Sequence, residues 1–69
     1  MKILAERLRL LRKEKKLSQE GFAKIMGLST GGYQRYELDE RDLTAPVIVE
    51  IAKYYKVSTD YLLGLKDKR

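Results

Sequence analysis

The side chains that could do chemistry in this sequence are amides, hydroxyls and charged groups, because the chain contains neither cysteine nor histidine. Without thiols, the chain can form neither a disulfide nor a thiolate metal site. Without imidazole, it lacks the commonest metal ligand and the side chain that most often transfers protons near neutral pH. The carboxylates form no evident acid–base pair. The composition therefore argues against an enzyme, and we expect neither a cofactor nor a metal site.

The charged residues are distributed unevenly along the chain. Residues 1–36 contain nine Lys or Arg and three Asp or Glu, whereas residues 37–69 contain six and seven, so the net charges of the two halves are +6 and −1. A basic half in a chain of 69 residues, which allows only one domain, indicates a polyanionic partner. Charge alone is equally consistent with a solvated helix face.

The sequence contains no segment suited to a membrane. No apolar run approaches the roughly 18 residues of a membrane-spanning helix. Charges at Lys2, Glu6 and Arg7 interrupt the N-terminal stretch, which therefore lacks the apolar core of a secretory signal. We expect a cytoplasmic protein with no membrane partner.

Helical spacing dominates the pattern of apolar residues. Leu4, Leu8 and Leu11 recur at i, i+4 and i+7, which predicts a first helix over about residues 3–15. Further along, Thr44 can cap a helix with Pro46 in its first turn, where the N–H groups have no intrahelical partner. The apolar face of that helix comprises Ile48, Ile51, Ala52 and Tyr55.

The same start signal for a helix occurs three times. In each case an apolar residue precedes a serine, and a second apolar residue follows at the fourth helical position. The serine hydroxyl can accept an unpaired backbone N–H, and the two apolar residues form a hydrophobic staple. The three signals are Leu17-Ser18 with Phe22, Leu28-Ser29 with Tyr33, and Val57-Ser58 with Leu62. They predict helices near residues 19–26, 30–38 and 59–64.

These signals together predict a compact all-α fold of five short helices. We assign the domain to residues 1–65 and a short basic tail to residues 66–69, which we expect to be frayed. The second helix should end at Gly27, because glycine readily takes the left-handed conformation that closes a helix. Ser29 starts the next helix at once, and the small side chain of Ala23 lets the two helices approach closely. The result is a pair of helices at a steep angle, joined by a short turn.

The ordered set of these signals resembles the lambda-repressor-like, or Cro-type, helix-turn-helix family. The resemblance covers nearly the whole chain, with the motif at residues 18–37 in predicted helices two and three. The matching residues are Leu17-Ser18-Gln19-Glu20, Ala23, Gly27, Ser29, Arg35-Tyr36-Glu37 and Val57-Ser58-Thr59-Asp60-Tyr61-Leu62-Leu63-Gly64. The resemblance implies that the third helix lies in the major groove of double-stranded DNA.

The resemblance also implies which residues face the bases. Position by position, they are Thr30, Gly31, Gln34 and Arg35. Arg35 could donate two hydrogen bonds to guanine, Gln34 could pair with adenine or reach only a phosphate, and Thr30 could touch a thymine methyl. The alternative is that these residues are simply exposed and polar.

Further residues match family positions that contact phosphates or support the fold. Gln19 resembles a glutamine that bonds a phosphate at the start of the first motif helix. Arg12 and Arg41 are candidates for supporting phosphate contacts. Arg12 also matches one partner of an ion pair that joins the first and third helices, and Glu37 matches the other. We therefore expect Arg12 and Glu37 to meet.

An aromatic and aliphatic series could instead form a stacking surface for single strands. Its members are Phe22, Ile25, Leu28, Tyr33 and Tyr36. Their helical spacing favours the interpretation that they face the core.

Two segments depart from the family pattern. Gly31 and Gly32 stand together in the first turn of the third helix, and Gly31 removes a side chain from a base-facing position. The loop after that helix contains three acidic residues with Arg41 as its only cation; the acidic residues are Asp39, Glu40 and Asp42. In relatives this loop lies near phosphates.

Two functions from different classes fit these features. The first is a transcriptional regulator, such as a repressor, that binds a palindromic operator as a weak homodimer, formed in solution or only on DNA. The second is an antitoxin-like interaction module that masks a partner protein. No small-molecule effector site is evident. For the dimer, we predict that Leu62 packs inside and that Tyr61 or Leu65 contributes a surface contact; a monomer is the alternative.

Overall fold

The computed structural model describes residues 1–69 and consists of five helices without a strand. They are α1 (Lys2–Glu14), α2 (Gln19–Met26), α3 (Thr30–Glu37), α4 (Ala45–Tyr55) and α5 (Thr59–Leu62). The predicted all-α, five-helix fold is confirmed, and the helix ends differ from the predicted ones by two residues at most, at the end of α5. None of the five helices is long and apolar enough to cross a lipid bilayer.

The three predicted serine caps form as the sequence indicates. The hydroxyl oxygens of Ser18, Ser29 and Ser58 accept backbone N–H groups three residues later, at 2.9, 3.1 and 3.0 Å. Each bond pairs one of the N–H groups that a helix start leaves without an intrahelical partner. Thr44 occupies the N-cap of α4, as predicted, although its side chain makes no capping hydrogen bond.

The turn between α2 and α3 depends on Gly27. This glycine has a φ of 71°, in the left-handed region, and it ends α2. The following N–H, of Leu28, returns to the carbonyl of Ala23 at 2.8 Å. Because Ser29 already caps α3, the two helices are joined by only three residues, and their relative orientation is closely constrained.

The core lies between the five helices, with α1 packed mainly against α3 and α5. Phe22 is at its centre: the ring meets Tyr33 edge-on, with centroids 5.2 Å apart, and stacks on Tyr55 at 5.1 Å. The aromatic series is thus part of the core at Phe22 and Tyr33. Ile25 departs from the prediction because its side chain is 47% exposed, on the outer face of α2. The fully buried members of the core are Leu8, Phe22, Ala23, Tyr33, Ile51 and Leu62.

The C-terminal tail packs against the domain, contrary to the predicted fraying. The carbonyl of Arg69 accepts the N–H of Ser58 at 2.8 Å, and its guanidinium pairs with Glu14 of α1. Arg7 donates to the carbonyl of Lys66 at 2.7 Å and lies over the ring of Tyr61, 4.1 Å from its centroid. These groups are far apart in the sequence, so local composition did not indicate their contacts.

The apolar residues of the C-terminal segment have different environments. Leu62 is fully buried, as predicted, and Tyr61 is buried beneath Arg7. Leu65 is 74% exposed. Of the two residues proposed for a surface contact, Leu65 is therefore the one at the surface.

Candidate nucleic-acid interface

Helix α3 has a buried face and an exposed face. Tyr33 and Glu37, one turn apart, point into the protein and are almost inaccessible to solvent. The exposed face contains the four residues predicted to meet bases: Gly31, Gln34 and Arg35 are exposed, and Thr30 is partly exposed. Because Tyr33 and Glu37 anchor one side of a helix of only eight residues, the other side is held outward as a surface.

The two adjacent glycines of α3 have different structural roles. A Cβ atom at Gly32 would lie 2.8 Å from the Ser29 hydroxyl oxygen, which accepts the Gly32 N–H. A side chain at Gly32 would therefore require only a small shift of the Ser29 hydroxyl. A Cβ at Gly31 would meet nothing within 4 Å. Gly31 leaves open space on the exposed face, where the backbone can approach a ligand closely.

A buried ion pair joins α1 to the end of α3. Arg12 donates from Nε to Oε2 of Glu37 at 2.7 Å and from Nη2 to Oε1 at 3.1 Å. A third Arg12 donor, Nη1, bonds the Leu17 carbonyl at 2.8 Å. Glu37 is 2% and Arg12 9% exposed. With two bonds to one carboxylate, the pair has the forked geometry that makes arginine–carboxylate contacts strong.

The surroundings of Glu37 keep its carboxylate ionised. Burial alone would raise the pKa of Glu37, because it disfavours the charged form. The hydrogen bonds from Arg12 and Gln19 act in the opposite direction and outweigh burial, so the Glu37 pKa is lower than that of a free glutamate. An ionised carboxylate can only accept hydrogen bonds, which constrains every neighbour that touches it.

Two glutamine side chains connect this ion pair to the exposed face of α3. Gln19, the first residue of α2, donates from Nε2 to Oε1 of Glu37 at 3.1 Å. The Oε1 of Gln19 in turn accepts a hydrogen bond from Nε2 of Gln34, also at 3.1 Å. Arg12, Glu37, Gln19 and Gln34 thus form a continuous chain of hydrogen bonds, the glutamine relay, from the interior to the surface.

The candidate phosphate contacts differ in how available they are. Gln19 lies at the start of α2 and is partly exposed, and Arg41 is exposed and forms no ion pair. Arg12 is buried, and all three of its nitrogen atoms already donate hydrogen bonds to Glu37 or Leu17. The expectation that Arg12 contacts a phosphate is therefore not compatible with its position in the ion pair.

The acidic loop after α3 contacts the N-terminus of the chain. The α-ammonium group of Met1 lies 2.8 Å from Asp39 Oδ1 and 2.5 Å from Asp42 Oδ1. Asp39 has a φ of 59°, in the left-handed region that aspartate enters more readily than most residues. The ammonium offsets part of the loop's negative charge, a contact between positions about 40 residues apart that no sequence motif indicates.

Arg9 is a further residue that the sequence analysis did not single out. Its Nη1 donates to the backbone carbonyl of Glu37 at 2.9 Å, at the C-terminal end of α3. A cation at this end satisfies a carbonyl without an intrahelical partner and complements the helix dipole. The only sequence signal that relates Arg9 to the ion pair is its i, i+3 spacing from Arg12 on α1.

Comparison with known proteins gives one family and several relatives. The family model described as helix-turn-helix matches residues 8–62. YobD of Bacillus subtilis, named an HTH-type transcriptional regulator, is 40% identical over 62 residues, which are 90% of this chain and 55% of that protein. PrpR of Mycobacterium tuberculosis, also an HTH-type transcriptional regulator, is 36% identical over 91% of this chain and 13% of its own length.

A solved structure agrees with this assignment. The DNA-binding domain of the P22 C2 repressor, studied by nuclear magnetic resonance, superposes with a TM-score of 0.78 at 30% identity. The match covers 87% of this chain and 79% of that one. The chain spans about half the length of YobD and a smaller part of PrpR. It belongs to the lambda-repressor-like helix-turn-helix family of DNA-binding transcriptional regulators, which are not enzymes.

Proposed function

We propose that this protein is a sequence-specific repressor that inserts α3 into the major groove of a palindromic operator. The observation that carries the proposal is the division of α3 into a face anchored by Tyr33 and Glu37 and an exposed polar face. A helix that presents its polar face at the protein surface, behind a short turn, matches the geometry with which helix-turn-helix proteins enter the groove.

The exposed face of α3 supplies base contacts of different kinds. Arg35 is exposed, and no ion pair within the protein competes for its guanidinium, so it is free to donate two hydrogen bonds to guanine O6 and N7. Gln34 offers an amide, and Thr30 a hydroxyl and a methyl group for a thymine. Gly31 supplies no side chain, and its role is to let the backbone approach the base edges.

The phosphate contacts in this proposal come from Gln19 and Arg41. At Gln19, the N-terminus of α2 adds its unpaired N–H groups and the positive end of its dipole. Arg41 is the only cation in the loop 39–42, where Asp39, Glu40 and Asp42 repel phosphate. The loop therefore contributes less to DNA affinity than a basic loop would.

A palindromic operator requires two copies of the protein. We propose a weak homodimer that forms on DNA, with the exposed side chain of Leu65 in the contact. The two half-sites should lie about one helical turn, or roughly 10 base pairs, apart. With DNA as partner, the site of action is the cytoplasm. No membrane or small-molecule effector enters the proposal.

The test compares two arginine variants on two duplexes. An operator is first selected from random double-stranded DNA at a stated salt concentration, because affinities depend steeply on salt. Arg35→Ala should weaken operator binding by about 1–3 kcal/mol, relax preference at one base pair per half-site and leave binding to scrambled duplex much less affected. Arg41→Ala should weaken both duplexes about equally and reduce the slope of affinity against salt.

Other outcomes would contradict parts of the proposal. Equal losses on both duplexes for Arg35→Ala would make Arg35 a phosphate contact. Sedimentation showing one protein per full palindromic site would exclude the dimer. Selection that returns no preferred sequence, together with a second small protein that co-purifies in a fixed ratio, would favour a function in masking that partner.

A further inference from the structure

We propose that the buried carboxylate of Glu37, acting through Gln19, orients the amide of Gln34 so that the protein selects adenine over guanine at the base pair that Gln34 faces. The proposal rests on the proposed function, since it concerns how α3 reads DNA. Within it, Gln34 touches the base, and Gln19 and Glu37 are positioning residues.

The direction of the glutamine relay follows from the chemistry of its buried end. Glu37 is ionised and enclosed, so its oxygens accept and never donate. Gln19 must therefore turn its Nε2 toward Glu37, which it contacts at 3.1 Å. This leaves Gln19 Oε1 on the outer side, where it can only accept. Gln34 must in turn present its Nε2 to that oxygen, as observed at 3.1 Å.

The orientation of Gln34 leaves a defined pair of groups for DNA. One N–H of the amide is bound to Gln19, while the carbonyl Oε1 and the second N–H remain free. Adenine presents an N6 amino donor and an N7 acceptor in the major groove, which match this pair. Guanine presents two acceptors, O6 and N7, so its O6 would oppose the Gln34 carbonyl.

The relay matters because a free glutamine does not discriminate in this way. Rotation of an amide by half a turn exchanges its donor and acceptor, which would let Gln34 donate to guanine as well. In this protein, such a rotation would place the Gln34 carbonyl against the Gln19 carbonyl. Discrimination at this base pair therefore comes from hydrogen bonds inside the protein as well as from the residue that touches the base.

The first experiment detects the relay in free protein, without DNA. Nuclear magnetic resonance of the side-chain amides should show that Gln34→Ala shifts the Gln19 amide and that Gln19→Ala shifts the Gln34 amide. Amide protons held in the relay should exchange with solvent more slowly than those of an exposed glutamine. Independent amide signals in the two variants would overturn the proposal whether or not the protein binds DNA.

The second experiment measures the ratio of affinities for two operators. Gln34→Ala identifies the base pair at which preference is lost, and operators with A·T and G·C at that position are then compared. The native protein should prefer adenine by about tenfold. Gln19→Ala and the longer, apolar Gln19→Met should each reduce this preference to less than about threefold, because the amide of Gln34 is then free to rotate. Both variants retain Gln34 itself.

The controls separate positioning from a general loss of affinity. If Gln19 acted only on a phosphate, Gln19→Ala would weaken both operators equally and leave their ratio unchanged, which would overturn the proposal. Arg41→Ala provides the pattern of such a contact, with lower affinity for both operators at a constant ratio. If Gln34→Ala changes no base preference while Arg35→Ala does, the relay has no role in specificity and the proposed function still stands.

Discussion

Two clusters of charge lie at opposite ends of α1 and differ mainly in burial. At the C-terminal end, Arg12 meets Glu37 at 2.7 Å in an almost inaccessible site. At the N-terminal end, the Met1 ammonium meets Asp39 at 2.8 Å, with close to half of each group exposed. The distances are nearly the same, but water screens the second cluster and not the first. Distance alone therefore does not indicate how much an ion pair contributes.

The clusters also differ in what depends on them. The buried pair holds α3 against α1 and supplies the acceptor that starts the glutamine relay. The exposed cluster only offsets the charge of a loop that the proposed function places near phosphates. We therefore expect changes in the first cluster to affect folding and changes in the second to affect mainly DNA affinity.

Among the predicted changes in stability, removal of one partner of the buried ion pair should have the largest effect. We expect Arg12→Met to lower the free energy of unfolding by about 3–5 kcal/mol, because Glu37 would remain buried without its counter-charge. A domain of this size has a total stability of only about 3–10 kcal/mol, so chemical denaturation should be followed in a fixed concentration of a stabilising osmolyte.

The matched control removes both charges. Arg12→Met/Glu37→Leu should recover most of the loss, because apolar residues of similar volume can replace a buried pair. A single variant that loses less than about 1 kcal/mol, or a double variant no better than the single one, would mean that burial does not set this pair apart.

Acid should weaken the buried cluster by protonating Glu37. The Glu37 pKa is lowered on folding, so its contribution to stability is present above the unfolded value of 4.5 and is lost as pH falls through the folded value. Urea unfolding at pH 5.5 and at pH 3 should therefore show a larger loss for the native protein than for Arg12→Met/Glu37→Leu. Equal losses would show that other carboxylates account for the acid sensitivity.

A third test concerns a buried polar group without a partner. The Tyr55 hydroxyl is buried and makes no hydrogen bond, whereas every charged nitrogen and oxygen atom of the ion pair has at least one hydrogen-bond partner. We expect Tyr55→Phe to raise the free energy of unfolding by up to about 1 kcal/mol, because an unpaired hydroxyl no longer has to be desolvated. Thermal unfolding checks this, and a clear loss of stability would reveal a hydrogen bond to the hydroxyl in solution.

The exposed cluster should have the smallest effect on stability. Asp39→Asn/Asp42→Asn should leave the unfolding midpoint near neutral pH almost unchanged but tighten binding to operator and scrambled DNA alike, because phosphates meet less negative charge. The Met1 pKa is raised, first by the hydrogen bond from its ammonium to Asp39, so its small contribution is present below pH 8.0 and is lost as pH rises through the folded value. Asp39→Asn/Asp42→Asn should therefore not show this loss of stability as the pH rises. A large change in the unfolding midpoint would contradict the expectation that the exposed cluster contributes little to stability.

Much of the fold could be predicted because its signals are local. The caps at Ser18, Ser29 and Ser58 and the turn at Gly27 each depend on residues within about five positions of one another, so their spacing is visible in the sequence. Thr44 shows the limit of this approach. It occupies the N-cap position that its residue type favours, but its side chain does not form the capping hydrogen bond.

The candidate functional residues could not be identified from hydrophobic periodicity alone. The resemblance to a family, rather than periodicity, identified Arg12 with Glu37 and the outward set on α3. Periodicity placed Ile25 inside, but α2 is short and its outer face meets no other helix, so Ile25 is exposed. The face of an amphipathic helix that becomes buried depends on which neighbours reach it.

The sequence by itself determined that this chain forms short helices, where they begin, and that two of them are joined by a tight turn. Only the tertiary structure decided the contacts of Met1 with Asp42, Arg69 with Glu14, and Gln34 with Gln19. The physical reason is that caps and turns are governed by dihedral angles of neighbouring residues. Contacts between distant residues depend instead on how helices cross, and those crossings are set by the packing of the whole core around Phe22.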